Sequence, residues 1–290
     1  MAIKCVDIKE YRVFKDKFSL EFCKGANVII GENGTGKTTL LRTIYRDSKH
    51  DNGRDIALHK YQIKANVTKD DAKITETVFI PEKDMLSHSR GLLPLWNDRN
   101  LPYMKHEIDI LSKAQMPETR ELKPNAEKLI GMIKEIIGGE VLYEDDEFYT
   151  IRESGEKVLF CVEASGFRKF GLLWKLLRNG LLEQGTVLLW DEPENSLNPE
   201  LIPKLVDILL KLSRNGVQVF VATHSELLAS YFAVNRQESD SVMFYSLYKE
   251  GEEVKVSFSD RFDLLRPNNL TTEPVKLYEK QIEKGLGSNG

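Results

Sequence analysis

Long apolar runs are absent from this sequence. No stretch comes near the roughly 18 apolar residues that a membrane-spanning helix needs, and no signal-peptide pattern follows Met1. We therefore expect a chain that does not span a membrane by itself and that works in the cytoplasm.

Cysteine is also scarce, with only Cys5, Cys23 and Cys161 among 290 residues. The number is odd and the spacing is wide, which excludes a complete disulfide framework and a cysteine-rich metal site. We predict that these residues are buried thiols in a reducing compartment.

Positive charge is not in excess, since the formal net charge is −4 and the sequence pI is about 5.9. This balance gives no global basic field for nucleic acid, although a local patch leaves DNA open as a partner. Internal repeats and low-complexity tracts are missing too, which excludes a repeat array. The length allows one large domain or two lobes with a sizeable core.

The most informative segment that is present is Gly-Glu-Asn-Gly-Thr-Gly-Lys-Thr at 31–38, which fits the phosphate-loop pattern. A short apolar run, Ala26–Ile30, precedes it, and a helical segment, Thr39–Tyr45, follows it. Glycines let the backbone approach a ligand, and successive N–H groups at a helix N-terminus form an anion-binding nest. We assign nucleotide binding to Asn33, Gly34, Thr35, Gly36, Lys37, Thr38 and Thr39, with Lys37 also catalytic on the β- and γ-phosphates and Thr38 a ligand of Mg²⁺.

Two further apolar segments end in polar residues. Thr186–Trp190 leads into Asp191 and Glu192, and Val217–Ala222 leads into Thr223 and His224. Ligands of α/β proteins bind at the carboxyl ends of buried parallel strands. We therefore predict that Asp191 holds Mg²⁺, that Glu192 is the general base for an attacking water, and that His224 contacts the γ-phosphate or orients the water.

Several residues have two readings each. We expect either that Tyr11 or Phe14 stacks on adenine or that both are core aromatics. Arg12 is either near the phosphates or a surface charge. The charged loop Glu82–Asp84 senses Mg²⁺ or the attacking water, or is merely solvated.

The pattern along the chain predicts an α/β fold with a mostly parallel core sheet flanked by helices, an N-terminal antiparallel β subdomain and an inserted helical lobe. Within the lobe, 87–102 is expected to be irregular or mobile, followed by helices at 104–115 and 125–137 and three short strands. The predicted units are 1–83, 84–162 and 163–290, the first and last forming the core around the phosphate loop.

The order of these motifs resembles the ABC-type P-loop ATPases, and more narrowly the soluble branch that contains the SMC, RecF and overcoming-lysogenization-defect ATPases. The resemblance rests on Gly31–Thr38 (Walker A), Thr186–Glu192 (Walker B), Ser196–Pro199 (D-loop) and Thr223–Ser225 (H-loop). It implies the ATPase head fold of that class.

The resemblance also implies a homodimer that sandwiches two ATP molecules. In this class a signature sequence from one subunit docks on the γ-phosphate held by the other. The corresponding segment here is Glu163–Lys169, which keeps only Ser165 and Gly166 of the signature. Those two residues are therefore assigned to the nucleotide of the partner subunit.

The function implied is Mg²⁺-dependent ATP binding and hydrolysis that switches a separate effector protein or DNA, as in small stand-alone ATPases of bacterial anti-phage defence. One alternative is the nucleotide-binding subunit of an ABC transporter, against which the incomplete signature counts. Another is a non-hydrolysing, nucleotide-dependent scaffold, against which Glu192 counts.

Overall fold

The computed structural model describes residues 2–48, 64–69, 74–99 and 101–287. Its strands, in chain order, are β1 (Ile3–Lys9), β2 (Phe18–Glu21), β3 (Ala26–Gly31), β4 (Lys64–Lys69), β5 (Glu76–Ile80), β6 (Gly139–Glu144), β7 (Glu147–Arg152), β8 (Lys157–Leu159), β9 (Thr186–Asp191), β10 (Gln218–Thr223), β11 (Val242–Glu250) and β12 (Glu253–Ser259). Its helices are α1 (Lys37–Ser48), α2 (Leu92–Arg99), α3 (Lys105–Ala114), α4 (Pro124–Ile137), α5 (Ser165–Arg178), α6 (Ile202–Arg214), α7 (Glu226–Asn235) and α8 (Asn269–Gly287).

A central sheet with the strand order β12-β11-β3-β10-β9-β5 organises the described residues. The pairs from β11 through β5 are parallel, and only β12 runs antiparallel at the edge. Every residue of β3, β9 and β10 is buried, as expected of apolar strands covered on both faces. The predicted α/β fold with a mostly parallel sheet is confirmed. Because these strands are parallel, their carboxyl ends meet at one edge of the sheet.

The N-terminal strands form a second, antiparallel sheet with the order β2-β1-β4. Their inward side chains share a buried cluster with one face of the central sheet and with α1. The sequence pattern also predicts a strand over residues 57–67. Residues 57–63 lie outside the described residues, and the rest of that segment belongs to β4.

Gln218 of β10 joins this N-terminal sheet to the central sheet. Its Nε2 donates to the backbone oxygens of Ile3 at 2.9 Å and Cys23 at 2.7 Å, and its Oε1 accepts from Ile3 N at 2.7 Å. The side chain is fully buried, so three backbone groups depend on one amide for their hydrogen bonds.

The segment between β5 and α5 holds α2, α3, α4 and an antiparallel sheet of β6, β7 and β8. Helix α4 ends at Gly138, whose φ of +64° is the left-handed conformation common after a helix. Buried side chains of this lobe, such as Leu111 and Ile133, belong to the same cluster as Trp190 on the central sheet. The lobe therefore packs on the sheet's core, and the unit boundaries at 84 and 163 stay predictions.

Two local expectations were wrong, and one helix was missed. Residues 87–102 include α2 rather than an irregular segment; Pro94 sits in its first turn, where no helical N–H is lost. Cys161 is exposed instead of buried, while Cys5 and Cys23 are partly buried. The helix α8 had not been predicted. Within the described ranges, none of the helices combines the length and apolar character that crossing a bilayer requires.

Replacement of Gln218 by Ala should destabilise the fold. The buried oxygens of Ile3 and Cys23 and the Ile3 N–H would lose their partner, which costs about 3 kcal/mol of unfolding free energy. Urea unfolding followed by circular dichroism measures this. The matched variant Gln237→Ala removes an exposed amide and should change stability by less than about 0.5 kcal/mol. Equal midpoints for the two variants would contradict the role given to Gln218.

Candidate functional site

The phosphate loop has the conformation that its glycines predict. Gly34 and Gly36 have φ of +75° and +97°, in the left-handed region that favours glycine. A Cβ on Gly36 would stand 2.6 Å from Val13 Cγ2 and 2.9 Å from Phe14 Cζ. The turn that carries Arg12 therefore braces the loop, and no larger residue fits at position 36.

Lys37 lies inside this loop with only 6% of its surface exposed. Its Nζ donates to the backbone oxygens of Gly31 at 2.8 Å and Glu32 at 3.1 Å. Burial lowers the pKa of Lys37 to about 8, and the carboxylates of Glu192, Asp191 and Glu194 oppose this shift. The ammonium is therefore charged at neutral pH and held at the centre of the loop.

Thr38 and Asp191 come together where α1 begins and β9 ends. Thr38 Oγ1 donates to Asp191 Oδ1 at 3.2 Å. Asp191 is 5% exposed, and its burial raises the pKa of the carboxyl, with the Thr38 hydrogen bond acting in the opposite direction. A hydroxyl beside a carboxylate supplies the hard oxygen ligands that Mg²⁺ prefers.

Within the described part of the chain, no group of three or more His, Cys, Asp or Glu side chains is arranged to hold a metal alone. A Mg²⁺ ion that arrives with a nucleotide takes one or two protein ligands and the rest from phosphates and water. The Thr38–Asp191 pair matches that donor set.

Glu192 follows β9 in the left-handed conformation, with φ of +48°, and contacts His224 from the end of β10. His224 Nε2 lies 2.9 Å from Glu192 Oε1, and Nδ1 lies 3.3 Å from Lys37 Nζ. Since an ammonium can only donate, Nδ1 faces it as an acceptor and the ring proton on Nε2 is donated to Glu192. Burial, helped by Lys37, lowers the pKa of His224 and favours this neutral ring.

The Glu192 carboxyl also has a raised pKa, caused by burial first and then by Glu82 and the neighbouring carboxylates. A carboxyl with a raised pKa is a stronger base, which suits general-base catalysis. Glu82 follows β5, the strand next to β9, and its Oε1 accepts from Asn195 Nδ2 at 2.6 Å. The charged loop after β5 therefore belongs to the edge of the site.

Two contributors were missed at the sequence level. Glu194 Oε1 accepts from Thr223 Oγ1 at 2.5 Å and from His224 N at 3.2 Å, which fixes the end of β10 against the turn after β9. Lys169 of α5 donates to the backbone oxygens of Glu192 and Pro193, each at 3.0 Å. The acidic run after β9 was a signal for the first contact, but no pattern pointed to the second.

The structure does not bring Ser165 and Gly166 to the phosphate loop of their own chain. Ser165 Oγ donates to Ser196 O at 3.0 Å, and a Cβ on Gly166 would stand 3.0 Å from Leu197 Cδ1. Both residues therefore lie against the 196–199 segment at the start of α5. Asp84 holds the same helix through Arg168, with 2.6 Å between Oδ2 and Nε.

The remaining predicted residues surround the loop without a contact that settles their roles. Asn33 is exposed on the loop, Thr35 is buried in it, and Thr39 is buried in α1. Arg12 is exposed, with its guanidinium 5.5 Å from the centre of the Tyr11 ring. Tyr11 and Phe14 are 4% and 2% exposed, so both rings are core residues in this structure and neither is open for stacking on adenine.

Taken together, an anion nest, a buried lysine, a hydroxyl–carboxylate pair and a carboxylate bonded to histidine converge from β3, β9 and β10. Such a set binds a polyphosphate, positions a divalent cation and can accept a proton from water.

The chain matches two family models. Residues 69–230, more than half of the sequence, match the model described as "AAA domain, putative AbiEii toxin, Type IV TA system". Residues 1–86 match a model described as an AAA ATPase domain. Among curated proteins, the glutamate transport ATP-binding protein GluA of Corynebacterium glutamicum is 21% identical over 224 residues, which are 75% of this chain and 74% of that protein.

Two solved structures illustrate the similarity of fold. An Smc head bound to the C-winged helix domain of ScpA has a TM-score of 0.57 at 12% identity, covering 89% of this chain and 98% of that one. The ADP conformation of an ATP-binding cassette of an ABC transporter has a TM-score of 0.53 at 16% identity, covering 96% and 98%. These similarities confirm the predicted resemblance to the heads of SMC and ABC ATPases.

Replacement of Lys37 by Ala should remove at least two charge-assisted hydrogen bonds to phosphate and weaken binding of MgATP at least about 100-fold. Isothermal titration calorimetry measures the affinity. Lys204→Ala, which removes an exposed lysine on α6, should bind MgATP as the unmodified chain does. Retained affinity in Lys37→Ala, with a normal melting temperature, would refute the assignment of the loop.

Proposed function

The chain belongs to the family of AAA domains whose model matches residues 69–230. We propose that it is a Mg²⁺-dependent ATPase that works as a dimeric switch for a partner. The observation that carries the proposal is the convergence of Lys37, the Thr38–Asp191 pair and the Glu192–His224 pair at one edge of the sheet. A protein that only bound nucleotide would need the first two features but not the third.

In the proposed cycle the phosphates displace protein oxygens from Lys37. In this structure the ammonium donates hydrogen bonds to the backbone oxygens of Gly31 and Glu32. The β- and γ-phosphates would replace these weaker acceptors. The loop glycines present their N–H groups to the same phosphates. Thr38 and Asp191 would hold Mg²⁺, which neutralises charge on the phosphates when bound.

Hydrolysis requires that Glu192 be free to accept a proton from water. In this structure its carboxylate accepts a hydrogen bond from His224 Nε2, so Glu192 is paired with the histidine rather than with a water molecule. A γ-phosphate near His224 offers that N–H another acceptor, which releases Glu192 toward the water. We propose that His224 in this way couples the presence of the third phosphate to activation of the base.

A second copy of the chain would complete the pocket. Ser165 and Gly166 lie on the 196–199 segment rather than on their own phosphate loop, while the N-terminus of α5 that they form is suited to an anion. Placing that N-terminus on the nucleotide of a partner would make ATP the contact that favours the closed dimer. The proposed site thus needs residues from both subunits.

The output is proposed to be a separate effector protein or DNA. The family description names a toxin of a type IV toxin–antitoxin system, a two-component arrangement that supports a protein partner. A role in anti-phage defence is compatible with such a switch and forms part of this proposal.

A transporter subunit is the second candidate, because the curated relative GluA is named as a transport ATP-binding protein. The reduced signature, in which Phe167 and Arg168 follow Ser165-Gly166, speaks against it. Copurification of the tagged chain with an integral membrane protein would favour the transporter over the switch.

Replacement of Glu192 by Gln should slow hydrolysis by about 10²- to 10⁴-fold, since the amide cannot act as the base. ATP then persists, and the dimer should accumulate on gel filtration with MgATP. Glu238→Gln, an exposed carboxylate, serves as control and should stay at the unmodified rate. A monomeric Glu192→Gln form that hydrolyses ATP at the unmodified rate would contradict the proposal.

Replacement of His224 by Ala should slow turnover at least about 100-fold while MgATP affinity changes little, because the ring acts on Glu192 and the γ-phosphate rather than on the whole nucleotide. Single-turnover hydrolysis and calorimetry separate the two effects. His88→Ala, an exposed histidine of the lobe, is the matched variant. A primary loss of affinity would assign His224 to binding instead.

A further inference from the structure

The hairpin of β11 and β12 brings to the phosphate loop a lysine that the proposed cycle does not use. Because Leu247 pairs with Gly31, Lys249 stands two residues beyond the end of β3, level with the loop. Tyr245 and Leu247 are buried in one cluster with Leu40 of α1. Side chains alternate along a strand, so Lys249 projects to the side of the sheet on which α1 begins.

The position of the ammonium agrees with this register. Lys249 Nζ lies 3.6 Å from the point where a Cβ would stand on Gly34, at the tip of the phosphate loop. Within the residues that the structure describes, this ammonium makes no hydrogen bond and no ion pair. An uncompensated positive charge therefore rests over a nest of backbone N–H groups that is built for an anion.

Lys249 and the hydrolytic residues lie on opposite sides of the loop. The strand order places β11 on one side of β3, with β10 and then β9 on the other. Glu192 and His224 follow β9 and β10, so the proposed cycle places the γ-phosphate on their side. The rest of the nucleotide then extends across the loop toward the end of β11.

We propose that Lys249 is a nucleotide-binding residue that contacts the end of the polyphosphate away from the γ-phosphate. This inference rests on the proposed function. It makes Lys37, inside the loop, and Lys249, at the tip of the loop, two separate cations of the site. Since the Lys249 contact is the same for a diphosphate and a triphosphate, it contributes uniform binding and does not favour the transition state.

The test is calorimetric binding of MgATP and MgADP to Lys249→Ala, Lys249→Arg and the control Lys204→Ala. Loss of one charge-assisted contact should weaken both nucleotides by the same factor, about tenfold. Arginine keeps the charge and should restore most of the affinity. The salt dependence of binding should also become shallower in Lys249→Ala. In steady-state assays KM should rise while kcat stays unchanged.

Unchanged affinity of Lys249→Ala, or weakening of MgATP without weakening of MgADP, would overturn the assignment of Lys249. A fall in kcat at constant KM would do the same. Failure of the proposed function looks different, because the unmodified chain and Lys204→Ala would then both fail to bind MgATP.

Discussion

Charge balance around the buried Lys37 and the partly buried Lys169 is the constraint on which the site depends. Burial lowers the pKa of Lys37 and of Lys169 to about 8. Carboxylates at the end of β9 oppose that shift for both lysines, and the carboxylates after β5 also oppose it for Lys169. Burial in turn raises the pKa of Asp191 and Glu192. The lysines without the carboxylates, or the carboxylates without the lysines, would destabilise the fold, because an unpaired buried ion costs roughly several kcal/mol. The carboxylates therefore keep the lysines charged before a polyphosphate arrives.

In the proposed cycle, this balance links nucleotide binding to Glu192, the proposed general base. Once phosphates take over Lys37, the negative charge near Glu192 rises, and a divalent ion at the Thr38–Asp191 pair would offset it. His224 lies between the two systems, with Nδ1 toward Lys37 and Nε2 toward Glu192. The His224 ring therefore responds to a change at either residue. Glu192, His224 and Lys37 are parts of one hydrogen-bonded chain.

Much of this site could be predicted from the sequence because it is local. The glycine spacing, the apolar runs and the polar residues directly after them identify three strand ends, and parallel pairing brings those ends together. Lys169 and Lys249 escaped prediction because their contacts depend on the packing of α5 and on the register of β11 against β3, which no pattern in either segment records. The helix α2 was missed because Pro94 and Gly91 suggested irregular backbone, although Gly91 directly precedes the helix and Pro94 lies in its first turn.

The two sides of the site differ in how they are held. On the phosphate-loop side, Gly36 packs against Val13 and Phe14, and a Cβ on Gly31 would stand 2.2 Å from Leu247 O. That packing is close and leaves the loop one conformation. On the α5 side, Gly166 packs against Leu197, but polar contacts also hold the helix: Arg168 with Asp84, and Lys169 with the turn after β9. Polar contacts can be exchanged for others at small cost, whereas close packing cannot. A change driven by nucleotide should therefore move α5 relative to the turn after β9 and leave the phosphate loop in place.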